Sequence, residues 1–235
     1  MKIIRFLCVH VSILISCSAF SEVVEVYTWK AFPGKNSEMI AVFTEAKKLH
    51  EEAGASVAIV QRGVGSTQEV DYVMRWDDPS SWGKSMDNAL GSSRMTKKWQ
   101  AFLAKANLDP AGEMVSSLSG WNLDSSKKAA DFNGSFVYGV WVWDVTPGRN
   151  ADFIESASRA KAIHEASGAR VEIYQEGVGG TNRMHYLMIW EGYAAWAKTI
   201  TKLGTSEAWA DHLARRDHTA ATLVASHRGQ TVVAQ

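Results

Sequence analysis

The sequence predicts an α+β fold built from two tandem copies of one β-α-β-β-α-β unit. Three observations carry that expectation. Residues 46–76 (AKKLHEEAGASVAIVQRGVGSTQEVDYVMRW) recur as residues 160–190 (AKAIHEASGARVEIYQEGVGGTNRMHYLMIW), an offset of 114. Aligned without gaps, positions 23–82 and 137–196 share 24 identities in 60, where chance would give only a few. Each copy also runs through strand-period and helix-period stretches in the same order.

The first strand is expected over Val23 to Lys30, where apolar and polar residues alternate. Pro33-Gly34-Lys35-Asn36 is a turn, and Asn36 or Ser37 caps the helix that follows. Met39, Ile40, Phe43, Ala46, Leu49 and His50 give that helix one apolar face, and Gly54 ends it as a left-handed cap. Val57 to Gln61 and Val70 to Trp76 are strands around the Gly63-Val64-Gly65 turn. Helical stretches near Trp82 to Leu90 and Lys97 to Lys105 follow, then a fourth strand near Met114 to Leu118. Ser125 to Gly134 (SSKKAADFNG) is polar and aperiodic, which reads as a linker. From Phe136 the order repeats, with the last strand expected near Leu223 to Ser226. The domains implied are 1–21 leader, 22–124 first repeat, 125–134 linker and 135–235 second repeat.

Composition narrows the function classes. The chain has 235 residues, 46% of them apolar, and 25 basic against 25 acidic groups. Zero net charge gives no reason to expect nucleic acid or an anionic membrane surface as partner. Ten Trp are expected mostly in the core. At the N-terminus, Lys2 and Arg5 precede an apolar run from Phe6 to Ile15, and Ala19-Phe20-Ser21 forms a small-x-small cleavage site. That is the layout of a secretory signal peptide, so the protein is expected to be periplasmic or secreted. Leu14-Ile15-Ser16-Cys17 also resembles a bacterial lipobox, and lipidation of Cys17 would be the route to a membrane. Cys8 and Cys17 both lie in this segment, leaving the rest without a disulfide or thiol nucleophile.

The β-α-β-β-α-β order is the ferredoxin-like arrangement. Its helices cover one sheet face, and the other must be buried, which two units achieve by closing a barrel with helices outside. The aromatic first strand, the Pro-Gly turn, and third strands ending in Trp76 and Trp190 resemble the dimeric α+β barrel superfamily. So does the Leu-Gly-Ser/Thr-Ser stretch before Trp99 and Trp209. The closest resemblance is to its tandem-repeat NIPSNAP and EthD-like branches, and it implies an intramolecular pseudo-dimeric barrel. For function it implies little. The superfamily holds haem-degrading and quinone-forming monooxygenases, peroxidases, isomerases and members without known activity.

If Val24, Val26 and Thr28 face the helices together with Tyr72, Met74 and Trp76, the lumen receives the other faces. Ligand-binding candidates are then Tyr27, Trp29, Trp141, Trp143, Tyr174 and Glu25, with Glu172 beside them: aromatic walls with sparse polar groups. His185, Asp71 and Arg75 are the catalytic candidates, since a His near neutral pH and an Asp–Arg pair can move protons and orient a substrate. The copies diverge on this strand face at Asp71/His185, Arg75/Ile189 and Val60/Tyr174. His50 and His164 occupy the same place in both copies. The resemblance raises haem binding for them, while their symmetry favours a structural role at a helix C-terminus. The GVG turns join strands and so are hairpins, not phosphate loops. No HExxH, CxxC or GxSxG pattern supports a zinc or serine hydrolase.

The leading expectation is an exported monomer that binds a small hydrophobic or aromatic molecule in its lumen, without a resident cofactor. The alternatives are a cofactor-free or haem-dependent monooxygenase-type enzyme and a non-catalytic envelope protein whose barrel is filled.

Overall fold

The computed structural model describes residues 21–66 and 68–233. The leader expected over 1–21, with Cys8 and Cys17, lies outside them except for Ser21. The first repeat comprises β1 (Val23–Ala31), α1 (Asn36–Ala53), β2 (Ser56–Arg62), β3 (Glu69–Trp76), α2 (Pro79–Gly91), α3 (Ser93–Ala106) and β4 (Gly112–Asn122). The second comprises β5 (Val137–Val145), α4 (Asn150–Ala166), β6 (Arg170–Glu176), β7 (Met184–Trp190), α5 (Tyr193–Gly204), α6 (Glu207–Arg215) and β8 (Ala221–Val233).

Local chemistry accounts for most boundaries. Gly54 ends α1 at φ 110°, and its N–H reaches back to Glu51. The Asp78 side chain accepts from the Ser81 N–H ahead of α2, with Pro79 opening the helix. Ser92 and Ser206 cap α3 and α6, which explains the Leu-Gly-Ser/Thr-Ser stretch. Asn36 is not a cap: α1 begins after Lys35 without a side-chain hydrogen bond.

All eight strands form one closed antiparallel barrel in the order β1-β3-β2-β8-β5-β7-β6-β4, with β4 returning to β1. Within each repeat the order is 4-1-3-2, and the repeats meet at β2·β8 and β4·β6. The two GVG turns make these seams. Gly63 N donates to Arg228 O at 2.8 Å and Arg228 N to Val64 O at 2.9 Å. In the same way Gly177 N donates to Ser119 O and Ser119 N to Val178 O, both at 2.7 Å.

Three apolar clusters result. One lies between α1, α3 and the first repeat's sheet around Phe43, Tyr72 and Trp76, and its counterpart surrounds Phe153, Tyr186 and Trp190. The third fills much of the lumen with Val24, Val60, Val73, Tyr138, Tyr174, Leu187 and Ile189.

The strand faces correct one expectation. Opposed residues of an antiparallel pair share a face, and β1 pairs Val24 with Arg75, Val26 with Val73 and Thr28 with Asp71. These six face the lumen. Tyr27 and Trp29 pair with Tyr72 and Val70 and pack under the helices, as do Trp141 and Trp143. Glu25 sits on the same side, accepting from Tyr27 Oη at 2.7 Å and Trp82 Nε1 at 2.8 Å. The helices cover the tryptophans with broad apolar surfaces, whereas the lumen, walled by eight strands, closes with Val, Leu and Ile side chains around the rings of Tyr138 and Tyr174. The stretch expected as a linker also does more than connect. It holds a 3₁₀ turn, Ala129–Phe132, whose Phe132 ring is buried beneath the Arg75 guanidinium at 3.9 Å.

Candidate functional site

The larger cavity, about 710 Å³, lies between helices and sheet of the second repeat. Trp141, Trp143, Tyr186 and Met188 form its floor, reaching it from the outward face of β5 and β7. Phe153, Ala157, Ala160 and His164 line it from α4, spaced three and four apart as one helical face requires. Ile200 and Leu203 of α5 and Trp209 and His212 of α6 complete the walls, and Arg216, Asp217 and His218 border it.

In the first repeat the same space is occupied by aromatic rings. Phe43, at the position of Ala157, packs edge-on against Trp29 and Tyr72 with centroids 5.5 and 5.4 Å apart. Phe102, at the position of His212 when Trp99 is matched to Trp209, packs against Trp99 at 5.5 Å. Loss of one ring at Ala157 and exchange of a phenyl for the smaller imidazole at His212 accompany the open cavity of the second repeat. Half of this signal, Phe43 against Ala157, lies within the ungapped alignment, and the other half, Phe102 against His212, shows only when the alignment is carried past the offset shift.

His164 donates or accepts through Nδ1 with Tyr186 Oη at 2.7 Å, and its ring lies 4.5 Å from that of Trp209. Burial, then the neighbouring His212, lowers its pKa from 6.5 to about 4, so the imidazole is neutral at pH 7. Burial pushes the Tyr186 hydroxyl upward, and it stays protonated. His50 repeats the arrangement with Tyr72 at 2.7 Å and Trp99 at 4.6 Å. Since this occurs where rings fill the space, the His–Tyr–Trp cluster is a packing unit of the fold. His212 stacks on Trp209 at 5.3 Å, and burial, Arg159 and Arg216 lower its pKa. Asp217 is held down to about 2 by hydrogen bonds from the Thr219 hydroxyl and N–H and from Arg149.

The lumen contains a second, smaller cavity of about 210 Å³, and His185, Asp71, Arg75 and Tyr174 all line it. They do not converge on one another. Asp71 accepts from Thr28 Oγ1 and from Nε and Nη2 of Arg62, each at 2.8 Å. His185 Nε2 lies 2.7 Å from Glu176 Oε1. Burial opposes the Glu176 charge, yet hydrogen bonds from His185 and the Thr181 and Arg183 N–H groups hold its pKa at about 2. Arg75 donates to Glu22 and Tyr174 at the other end. Glu172, fully buried, is engaged by Arg170 Nε at 2.9 Å. Each candidate is thus committed to its own local network. Sequence reasoning missed Arg62, Glu176 and Glu22, which pair with them across strands. The seam positions Arg62 and Glu176 are equivalent, so the Arg62–Asp71 ion pair of one repeat stands where the other has the Glu176–His185 hydrogen bond, with the carboxylate moved to the opposite strand. Among the described residues no cluster of three or more His, Cys, Asp or Glu is arranged to hold a metal ion.

No protein-family model matches the chain, and no curated protein does. Solved structures do. A candidate monooxygenase from Fusobacterium nucleatum has a TM-score of 0.58 at 10% identity, covering 92% of this chain and 94% of that one. A candidate monooxygenase from Lactobacillus acidophilus gives 0.55 at 9% identity over 90% and 93%. An anthrone oxidase-like protein gives 0.53 at 15% identity over 91% and 92%. At such identities the likeness is one of fold: along nearly its whole length, the chain has the architecture of the dimeric α+β barrel proteins.

Proposed function

We propose that the protein binds a small hydrophobic or aromatic molecule, and that it does so between helices and sheet of the second repeat rather than in the lumen. The observation that carries this reading is the asymmetry between the repeats. A cavity of 710 Å³ falls within the range of small-molecule sites, whereas the 210 Å³ of the lumen falls below it. Trp141, Trp143, Phe153 and Trp209 supply flat apolar walls, and the neutral imidazoles of His164 and His212 supply sparse polar groups.

A second reading keeps an enzyme of monooxygenase type, with or without haem. What favours it is His164: neutral, lining the cavity, and oriented through Nδ1 by Tyr186, so that Nε2 is the nitrogen that would hold a haem iron. The residues therefore fit a haem, which would supply oxygen or peroxide chemistry there. The chain's own part would be to hold His164, exclude water with the tryptophans and keep Tyr186 protonated.

Titration with the neutral fluorophore N-phenyl-1-naphthylamine tests the first reading. One saturable site is expected in the wild type, weakened at least tenfold by Ala157→Phe. Binding unchanged in that variant would move the site elsewhere. Haem titration tests the second, and a Soret shift abolished by His164→Ala is the outcome that supports it. Export through residues 1–21 belongs to the same proposal and is checked by fractionating cells that express the full chain.

A further inference from the structure

We propose that the second-repeat cavity takes a planar aromatic acid, with its ring system between the tryptophans and its carboxylate on Arg216. The inference rests on the cavity being a ligand site and goes beyond it by naming the ligand's charge and the residue that reads it.

The walls are apolar, and charge is found only where the cavity meets the α6–β8 turn, at Arg216 and Asp217. These two are not equivalent. The Asp217 carboxylate is occupied, accepting from Arg149 Nη2 at 2.7 Å and from Thr219 N and Oγ1 at 2.8 and 2.7 Å. Arg216 has no carboxylate within ion-pair distance among the described residues. Its recorded polar contact is with His218 Nδ1 at 3.2 Å. The guanidinium is held over the Trp143 ring, 5.2 Å from its centroid, so it is aimed along a cavity wall by a cation–π contact. Burial first, and then the charges of Arg159 and Arg216, disfavour protonation of His212 inside the cavity. The remaining cations nearby are matched: Arg215 with Asp211 at 2.9 Å, and Arg159 with Glu155.

Comparison between repeats argues the same way. The corresponding turn of the first repeat reads Ala106-Asn107-Leu108 and carries no cation, and there the cavity is filled by Phe43 and Phe102. The open cavity and the unpaired guanidinium thus occur together, in one repeat. A guanidinium presents a planar fork that suits a carboxylate, and the adjacent indole suits the ring that carries it.

The test is a matched pair of ligands, 2-naphthoate and 2-naphthylmethanol, titrated calorimetrically into wild type, Arg216→Gln, Arg216→Lys and Ala157→Phe proteins. The acid is expected to bind wild type about tenfold tighter than the alcohol. Arg216→Gln should bring the acid to the alcohol's affinity without weakening the alcohol, and Arg216→Lys should retain part of the preference. Ala157→Phe should lose both. Equal affinity of wild type for the two ligands, or a preference that survives Arg216→Gln, overturns the acid assignment while leaving the cavity as the site. Failure of both ligands to bind, together with failure of the neutral fluorophore, overturns the ligand site itself.

Discussion

Arg75 donates through Nη1 to Glu22 Oε1 at 2.5 Å, joining the residue just before β1 to the third strand inside one end of the barrel. The same nitrogen reaches Tyr174 Oη at 2.8 Å, Tyr174 donates to Glu22 at 2.9 Å, and Asn122 Nδ2 donates to Glu22 at 3.1 Å. Phe132 closes this network off from solvent. Four strands and the connecting stretch between the repeats therefore meet at one buried ion pair.

Breaking that pair leaves an uncompensated charge in a closed space. Arg75→Met is expected to lower unfolding free energy by about 3–5 kcal/mol, measured by urea denaturation. Joint replacement, Glu22→Leu with Arg75→Met, should restore much of the loss, because the cost lies in the orphaned partner. A double variant whose loss equals the sum of the two single losses would show that the two side chains are not coupled, and would overturn the orphaned-charge account.

The seam turns make a second prediction. Gly65 sits at φ 88°, and a Cβ there would lie 2.4 Å from Ser226 O; Gly179 at φ 83° would meet Ser117 O at 2.5 Å. Gly34 shares the left-handed conformation at φ 81° with nothing within 4 Å. Gly34→Ala should therefore cost about 1 kcal/mol of backbone strain, while Gly65→Ala and Gly179→Ala should cost clearly more. Thermal melts of the three variants compare them directly.

If ring loss opened the second repeat, it should open the first. Phe43→Ala alone is expected to cost about 3–5 kcal/mol through its cavity. Combined with Phe102→His, it should raise fluorophore stoichiometry from one site to two. A stoichiometry still at one would mean that the first repeat collapses around the space.

Stability should fall on mild acidification. His50, His164 and His227 are each lowered to about 4, burial being the leading cause in all three. Between the unfolded value of 6.5 and 4 the unfolded chain binds more protons, so unfolding free energy rises with pH there and is lost as pH falls. The loss is at most about 1.4 kcal/mol per pH unit for each ring. The Glu176 carboxyl, at about 2, adds a further loss as pH drops below 4.5. Urea midpoints from pH 8 to pH 4, with His50→Gln flattening part of the slope, check the assignment.

Much of this was legible beforehand. Repetition exposed the element order, because buried positions such as Tyr72/Tyr186 and Trp76/Trp190 tolerate little change. Periodicity located α1 and, through the repeat, α4, and Gly54, at φ 110°, marked the end of α1. Strand faces were less legible. In β3, Val70, Tyr72, Met74 and Trp76 alternate with Asp71, Val73 and Arg75, yet both sets are buried, so alternation alone does not say which points inward. The β1–β3 register decides it, and with it the fate of Tyr27, Trp29, Trp141 and Trp143.

By itself, then, the sequence determined the duplicated α+β unit, its turns and its caps, since these depend on residues close together in the chain. Tertiary structure alone decided where a ligand could sit. Ala157, His212, Trp143 and Arg216 are small, polar, aromatic and charged residues with no shared pattern, and they become a cavity only when α4, α6 and β5 pack together. Whether a missing ring leaves a space depends on what its distant neighbours fail to fill.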